Sequence, residues 1–182
     1  MKKWFFILST LSVFMITACA YSGAVAKDLQ NGIVRLHIIA QSDSDYDQSI
    51  KLKVRDKVLD AIADKDIADI DSFLATAENA ANDCLSDNSI PYRAKAEFGI
   101  FEFPNKTYKN ITLPKGSYKS IRIILGDGMG KNWWCVMYPP ICISGNQKQA
   151  EQELKALLHN DTFEIITKKP TIKFKIVELL SH

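Results

Sequence analysis

Apolar positions along this chain recur with two periods, and the switches between them mark its elements. Ile33-Val-Arg-Leu-His-Ile-Ile-Ala40 alternates, with Val34, Leu36, Ile38 and Ala40 on one face and Arg35 and His37 on the other, as a half-buried strand does. From Asp47 to Ala63 the spacing becomes helical, with Ile50, Val54, Val58, Ala61 and Ile62 on one stripe and Lys51, Lys53, Arg55 and Lys57 largely away from it. A second helix is predicted from Asp69 to Leu85 on the stripe Ile70, Phe73, Leu74, Ala77, Ala81, Cys84 and Leu85. After Pro91 the period returns to two, with Tyr92, Ala94, Ala96, Phe98 and Ile100 set against Arg93, Lys95, Glu97 and Gly99. Phe101 and Phe103 then continue on the opposite parity, so a bulge is expected at Gly99. Asn105 to Gly116 reads as loop, with a turn at Pro114-Lys-Gly116. Ser120 to Leu125 and Trp133 to Tyr138 read as strands that pair as a hairpin across the glycines between them, Gln147 to Leu158 as a third helix, and Thr171 to Ile176 as a closing strand. The order βααβββαβ predicts a single α+β domain: an about five-stranded, mainly antiparallel sheet with three helices on one face.

The most unusual stretch is Gly126-Asp-Gly-Met-Gly-Lys-Asn-Trp-Trp-Cys-Val-Met-Tyr-Pro-Pro-Ile-Cys142. In a strand, Trp133, Cys135 and Met137 line one face while Trp134, Val136 and Tyr138 line the other. Both faces are apolar, so the strand is either central to the core or buried on one side and offered to a partner on the other. Asn132, Trp133, Trp134 and Tyr138 are therefore the candidate partner-binding residues. Trp134 is expected to be the partner-facing tryptophan, because Cys135 and Met137 give the Trp133 face the more uniformly buried character.

Lys2-Lys3 followed by an apolar run from Trp4 to about Ala18 has the form of an export signal, so residues 1–26 read as a leader and 27–182 as the domain. Two processing sites compete. Ala24-Val25-Ala26 suits cleavage before Lys27, whereas Ile16-Thr17-Ala18-Cys19 has the form of a bacterial lipobox and makes Cys19 a lipidation candidate. The formal net charge is +2, and Lys2 and Lys3 account for it, since no other charged residue precedes Lys27. A neutral domain argues against nucleic acid and against a polybasic membrane patch. Beyond Cys19 there are Cys84, Cys135 and Cys142, an odd number; Cys84 lies on an apolar stripe, and the Cys135–Cys142 spacing is marginal for a disulfide.

Motifs of catalysis and metal binding fail on inspection. Asp43, Asp45 and Asp47 imitate the start of a calcium loop, but Gln48 stands where glycine is needed and Val54 where a bidentate glutamate is needed. Ser and Asp there suit a helix N-terminus instead. Gly126, Gly128, Gly130 and Lys131 lack the glycine spacing of a phosphate loop and precede a strand where that loop precedes a helix. No metal, cofactor or catalytic residue is expected. The competing enzymatic reading is an exported hydrolase using His37 with Asp43 or Asp45, without an accompanying nucleophile motif.

Arg35-Leu-His-Ile-Ile-Ala-Gln-Ser-Asp-Ser44, Lys51-Leu-Lys-Val-Arg-Asp-Lys-Val58, Phe103-Pro-Asn-Lys-Thr-Tyr108 and Asn132-Trp-Trp-Cys-Val-Met-Tyr-Pro-Pro-Ile-Cys142 together resemble the stage II sporulation protein R family over nearly all of the domain. The resemblance implies a non-enzymatic signal of endospore formation, made in the forespore and exported into the space between the forespore and mother-cell membranes. It also implies a partner, a membrane-embedded aspartic protease of the mother cell, which the signal activates to process pro-sigma-E. The lipobox departs from a freely diffusing signal.

Overall fold

β1 (Val34–Ile39) lies inside a four-stranded sheet of order β2-β5-β1-β6, with β2 spanning Ala94–Phe103, β5 Gly116–Leu125 and β6 Asn132–Tyr138. This computed structural model describes residues 2–141 and 147–167 together with Lys175 and Val177. The other described elements are helices α1 (Lys2–Gly32), α2 (Asp45–Ile62), α3 (Ile70–Asp87), α4 (Gln147–Leu157) and α5 (Asn160–Thr167), and a two-stranded sheet of β3 (Lys106–Tyr108) and β4 (Ile111–Leu113).

The α+β class stands, but several details of the expectation do not. The described residues hold five helices and six strands, where three and about five were expected. The sheet is mixed: β1 runs parallel to β5 and antiparallel to β6. β5 and β6 do not form the expected hairpin, because β1 lies between them and pairs with both. The glycine turn is therefore a bridge over the end of β1. No bulge interrupts β2 at Gly99. Arg93 meets Gly126, Glu97 meets Arg122 and Glu102 meets Ser117, a constant antiparallel register along β5. The change of parity has another cause, since Phe101 is an apolar residue on the face shared with His37. Asn105 to Gly116 contains the β3–β4 pair instead of only loop. The closing strand at Thr171–Ile176 lies outside the described residues, apart from a helical Lys175, and Cys142 lies outside them as well.

The described chain divides into two compact units. Residues 33–101 and 119–150 form one, and its core is the layer between the sheet and the α2–α3 pair. Leu36 and Ile38 of β1, Ile121 and Ile123 of β5 and Cys135 of β6 are fully buried there against Ile50, Val54 and Val58 of α2 and Phe73, Ala77 and Ala81 of α3. Both predicted stripes thus face the sheet. Cys84 is buried on the α3 stripe, and burial pushes its thiol pKa up, as expected of an inert core cysteine. α2 starts where the Ser and Asp residues announced it: Ser44 Oγ accepts the Asp47 amide at 3.1 Å, and Asp45 and Asp47 sit in the positive first turn.

Residues 1–32, 102–118 and 151–182 form the other unit. The apolar first half of α1 is exposed, from Trp4 to Ile16, whereas Ser22, Val25 and Leu29 on its second half are buried. α5 packs on β4 and on α1, and Phe103 meets Tyr118 edge to face at 5.8 Å. Asp28 of α1 serves as the cap of α5. Its carboxylate accepts the His159 amide at 2.9 Å and meets the His159 ring at 2.8 Å. Burial opposes its charge, but hydrogen bonds from Thr162 and His159 outweigh this and hold its pKa below the usual value.

Candidate partner-binding site

The glycine-rich turn before β6 is built into the loop that leads from β1 to α2. Met129 and Gly130 donate their amides to the carbonyls of Gln41 (3.2 Å) and Ala40 (2.9 Å), and Lys131 N–H donates to Asp43 at 2.7 Å. Gln41 donates its side-chain amide to Asp127 at 2.9 Å. A Cβ on Gly130 would stand 2.2 Å from the Ser42 carbonyl oxygen, so only glycine permits this approach. Beneath the turn, Lys51 is only 5% exposed and donates to Gln48 at 2.6 Å and to the Lys131 carbonyl at 2.9 Å. Burial lowers the pKa of its ammonium, and the nearby Asp43 charge opposes the shift. Helical spacing had placed Lys51 among surface lysines. On the other flank, Ser42 and Tyr92 donate to the Asp47 carboxylate, and the Ser42 bond is the largest cause of its lowered pKa.

This scaffold fixes the register of β6 on β1, with Leu36 opposite Cys135, His37 opposite Trp134 and Ile38 opposite Trp133. Directly opposed residues share a face. Trp133 accordingly points with Ile38 towards the helices, packs on the core and carries the Arg55 guanidinium 5.5 Å from its ring centre. Trp134 points the other way. Its ring lies parallel to His37 at 4.9 Å, His37 meets Phe101 at 5.9 Å, and the Arg122 guanidinium covers Phe101 at 4.2 Å while pairing with Glu97. Trp134 of β6, His37 of β1, Arg122 of β5 and the β2 residues Phe101 and Glu97 thus form one row across all four strands.

The four sequence candidates do not share this face. Trp134 and Asn132 have its parity and are half-buried, Trp133 belongs to the helix side, and Tyr138 lies beyond a register shift at 42% exposure. Sequence reasoning missed Phe101, Arg122 and Glu97. The signal was the shared parity of Arg35, His37 and Arg122 on neighbouring strands, which becomes readable only once β1 is known to pair with β5.

His37 is 4% exposed, and burial, followed by the Arg122 and Arg35 charges, holds its pKa down at about 4. Its ring is neutral at neutral pH. The geometry lends no support to His37 acting with Asp43 or Asp45: the ring lies between Trp134 and Phe101, while Asp43 accepts the Lys131 amide. Among the described residues no group of three His, Cys, Asp or Glu side chains could hold a metal ion. The unit containing α1 has a separate cleft of about 410 Å³, lined in part by Gly23, Lys27, Gln30, Lys115, Ser117 and Tyr118.

By fold and site this is an α+β protein whose distinctive side chains form an aromatic and cationic contact row along a sheet face. Comparison with known proteins gives the family. Residues 30–148 match the family described as Stage II sporulation protein R, and the chain belongs to it. It is 35% identical over 145 residues to Stage II sporulation protein R of Bacillus subtilis (strain 168), a match covering 73% of this chain and 65% of the relative. No solved structure matches. The family places the chain in sporulation.

Proposed function

We propose that this chain is an exported signal of sporulation that binds and activates a membrane-embedded aspartic protease, which then processes pro-sigma-E. The observation that carries the reading is the Trp134 row, which lies within the residues that match the family. Trp134 is an aromatic anchor backed by a rigid, neutral His37 ring and left half-open, the character of a binding hot spot. Export is supported by Lys2-Lys3 and the exposed apolar half of α1, a helix long and apolar enough to cross a membrane.

Between the two processing sites the burial pattern favours the one before Cys19. Cleavage there keeps Ser22 and Val25, both buried, whereas cleavage before Lys27 removes them; Cys19 itself is exposed. Mass spectrometry of the exported form should therefore find Cys19 at the N-terminus, carrying acyl chains. A terminus at Lys27 would overturn the preference, and an intact chain would point to an uncleaved anchor.

Co-expression of this chain with the candidate protease and its pro-sigma substrate, outside any sporulating cell, tests the function. Processing should appear only when all three are present and should fall when Trp134→Ala is used in place of the wild type. Processing that is independent of this chain would refute the proposal.

A further inference from the structure

Among the described residues β2 is an edge strand, and only half of its free edge is closed. The Gly126 amide donates to the Arg93 carbonyl at 2.9 Å, so the odd-numbered residues of this segment turn their backbone groups towards β5 and the even-numbered ones turn theirs outward. α3 closes the first outward positions. Asn82 accepts the Ala94 amide at 2.9 Å and donates to its carbonyl at 3.1 Å, imitating a neighbouring strand, and Glu78 accepts the Ala96 amide at 2.8 Å. The next two outward positions, Phe98 and Ile100, receive no such cover from the described residues. Their side chains are also exposed, at 43% and 60%. Unpaired backbone groups and alternating apolar side chains together make a surface on which another strand can be added.

We propose that this half-edge pairs with the same segment of a second copy of the chain, antiparallel about Gly99. The register follows from parity. A two-fold axis at Gly99 sets Phe98 opposite Ile100 of the second copy, and Ile100 opposite its Phe98. In both pairs the residues meet as hydrogen-bonded partners, with glycine at the axis where the copies approach most closely. The exposed apolar pair is thus self-complementary. Charge agrees as well: on the opposite face each Glu97 comes opposite the second copy's Phe101, whose ring carries an arginine guanidinium, so unlike charges alternate across the axis. Glu78 and Asn82 stop the ladder at Ala96. So short a pairing buries far less than the roughly 1,200–2,000 Å² of a stable free-standing interface. It therefore requires copies concentrated on one membrane, as the apolar half of α1 would hold the uncleaved chain and acyl chains on Cys19 the cleaved one.

The test uses the full chain in liposomes, in a Cys19→Ser background. Phe98→Cys chains are mixed with Ile100→Cys chains under a mild copper–phenanthroline oxidant, and disulfides are mapped by peptide mass spectrometry. The 98–100 disulfide should exceed both the 98–98 and 100–100 products, and should exceed by about tenfold the yield from Met129→Cys, a more accessible control at 80% exposure. Adding Ile100→Lys to the Phe98→Cys chain should lower the yield about tenfold, because it removes the second apolar pair while leaving the melting temperature unchanged. Yields no higher than the control, a predominance of 98–98 or 100–100 products, or indifference to Ile100→Lys would each overturn the proposal. So would cross-linking of Phe98→Cys to a co-expressed membrane protein in place of a second copy.

Discussion

Acidification should weaken this fold well above the pH at which carboxylates protonate, and His37 should be the cause. Its folded-state pKa lies at about 4 against 6.5 for a free histidine. A base with a depressed folded pKa stays neutral in the native state while the unfolded chain takes up a proton, so stability is complete above pH 6.5 and is lost as pH falls from there towards 4. Linkage over these two values gives a loss of about 2 kcal/mol between pH 7 and pH 5, rising to roughly 3 kcal/mol below pH 4. For a chain of this size, 2 kcal/mol corresponds to about 4–8 °C in melting temperature. The carboxylates with shifted values do not interfere: Asp28 and Asp47 are both lowered from 3.8, so their contributions are lost only as pH falls through and below that value. Urea titrations followed by tryptophan fluorescence at pH 7 and pH 5, on the full chain in micelles, would measure the effect. His37→Phe keeps a ring between Trp134 and Phe101 and removes the titrating group. Its stability should change little over the same interval. Equal pH dependence in wild type and variant, or a flat wild type, would refute the assignment of a buried neutral imidazole.

Trp133→Ala should lower stability by roughly 2–3 kcal/mol, since it removes core packing and the Arg55 contact. Trp134→Ala should cost about 1–2 kcal/mol of stability and roughly 2–4 kcal/mol of partner binding; equal melting losses with intact processing would place the binding surface elsewhere. Gly130→Ala should cost about 2–3 kcal/mol in a thermal melt, because a Cβ driven against the Ser42 carbonyl displaces the amide bonds of Met129, Gly130 and Lys131. Asp28→Ala should cost about 1 kcal/mol by uncapping α5. That difference from wild type should vanish as pH falls through the lowered Asp28 pKa, because only the charged carboxylate is stabilising.

Periodicity alone determined which side chains share a face. The stripes of α2 and α3, the alternation of β1 and the split of Trp133 from Trp134 could all be read from spacing, because a helix or strand imposes its repeat on whichever residues must avoid water. The same repeat says nothing about which strand lies beside which. β5 and β6, a short glycine turn apart, looked like a hairpin, yet β1 takes the place between them, because the turn's amides bond to Ala40 and Gln41 at the end of that strand. Short elements also escaped: β3 and β4 have three residues each and α5 eight, too few to establish a period. Lys51 looked like surface and is buried, since a carbonyl 80 residues away accepts its ammonium. The Trp134 row and the half-closed edge of β2 arise in the same way, from residues distant in sequence that meet only through strand order and helix packing. Local spacing determines the face a side chain presents, and only the assembled sheet decides what that face meets.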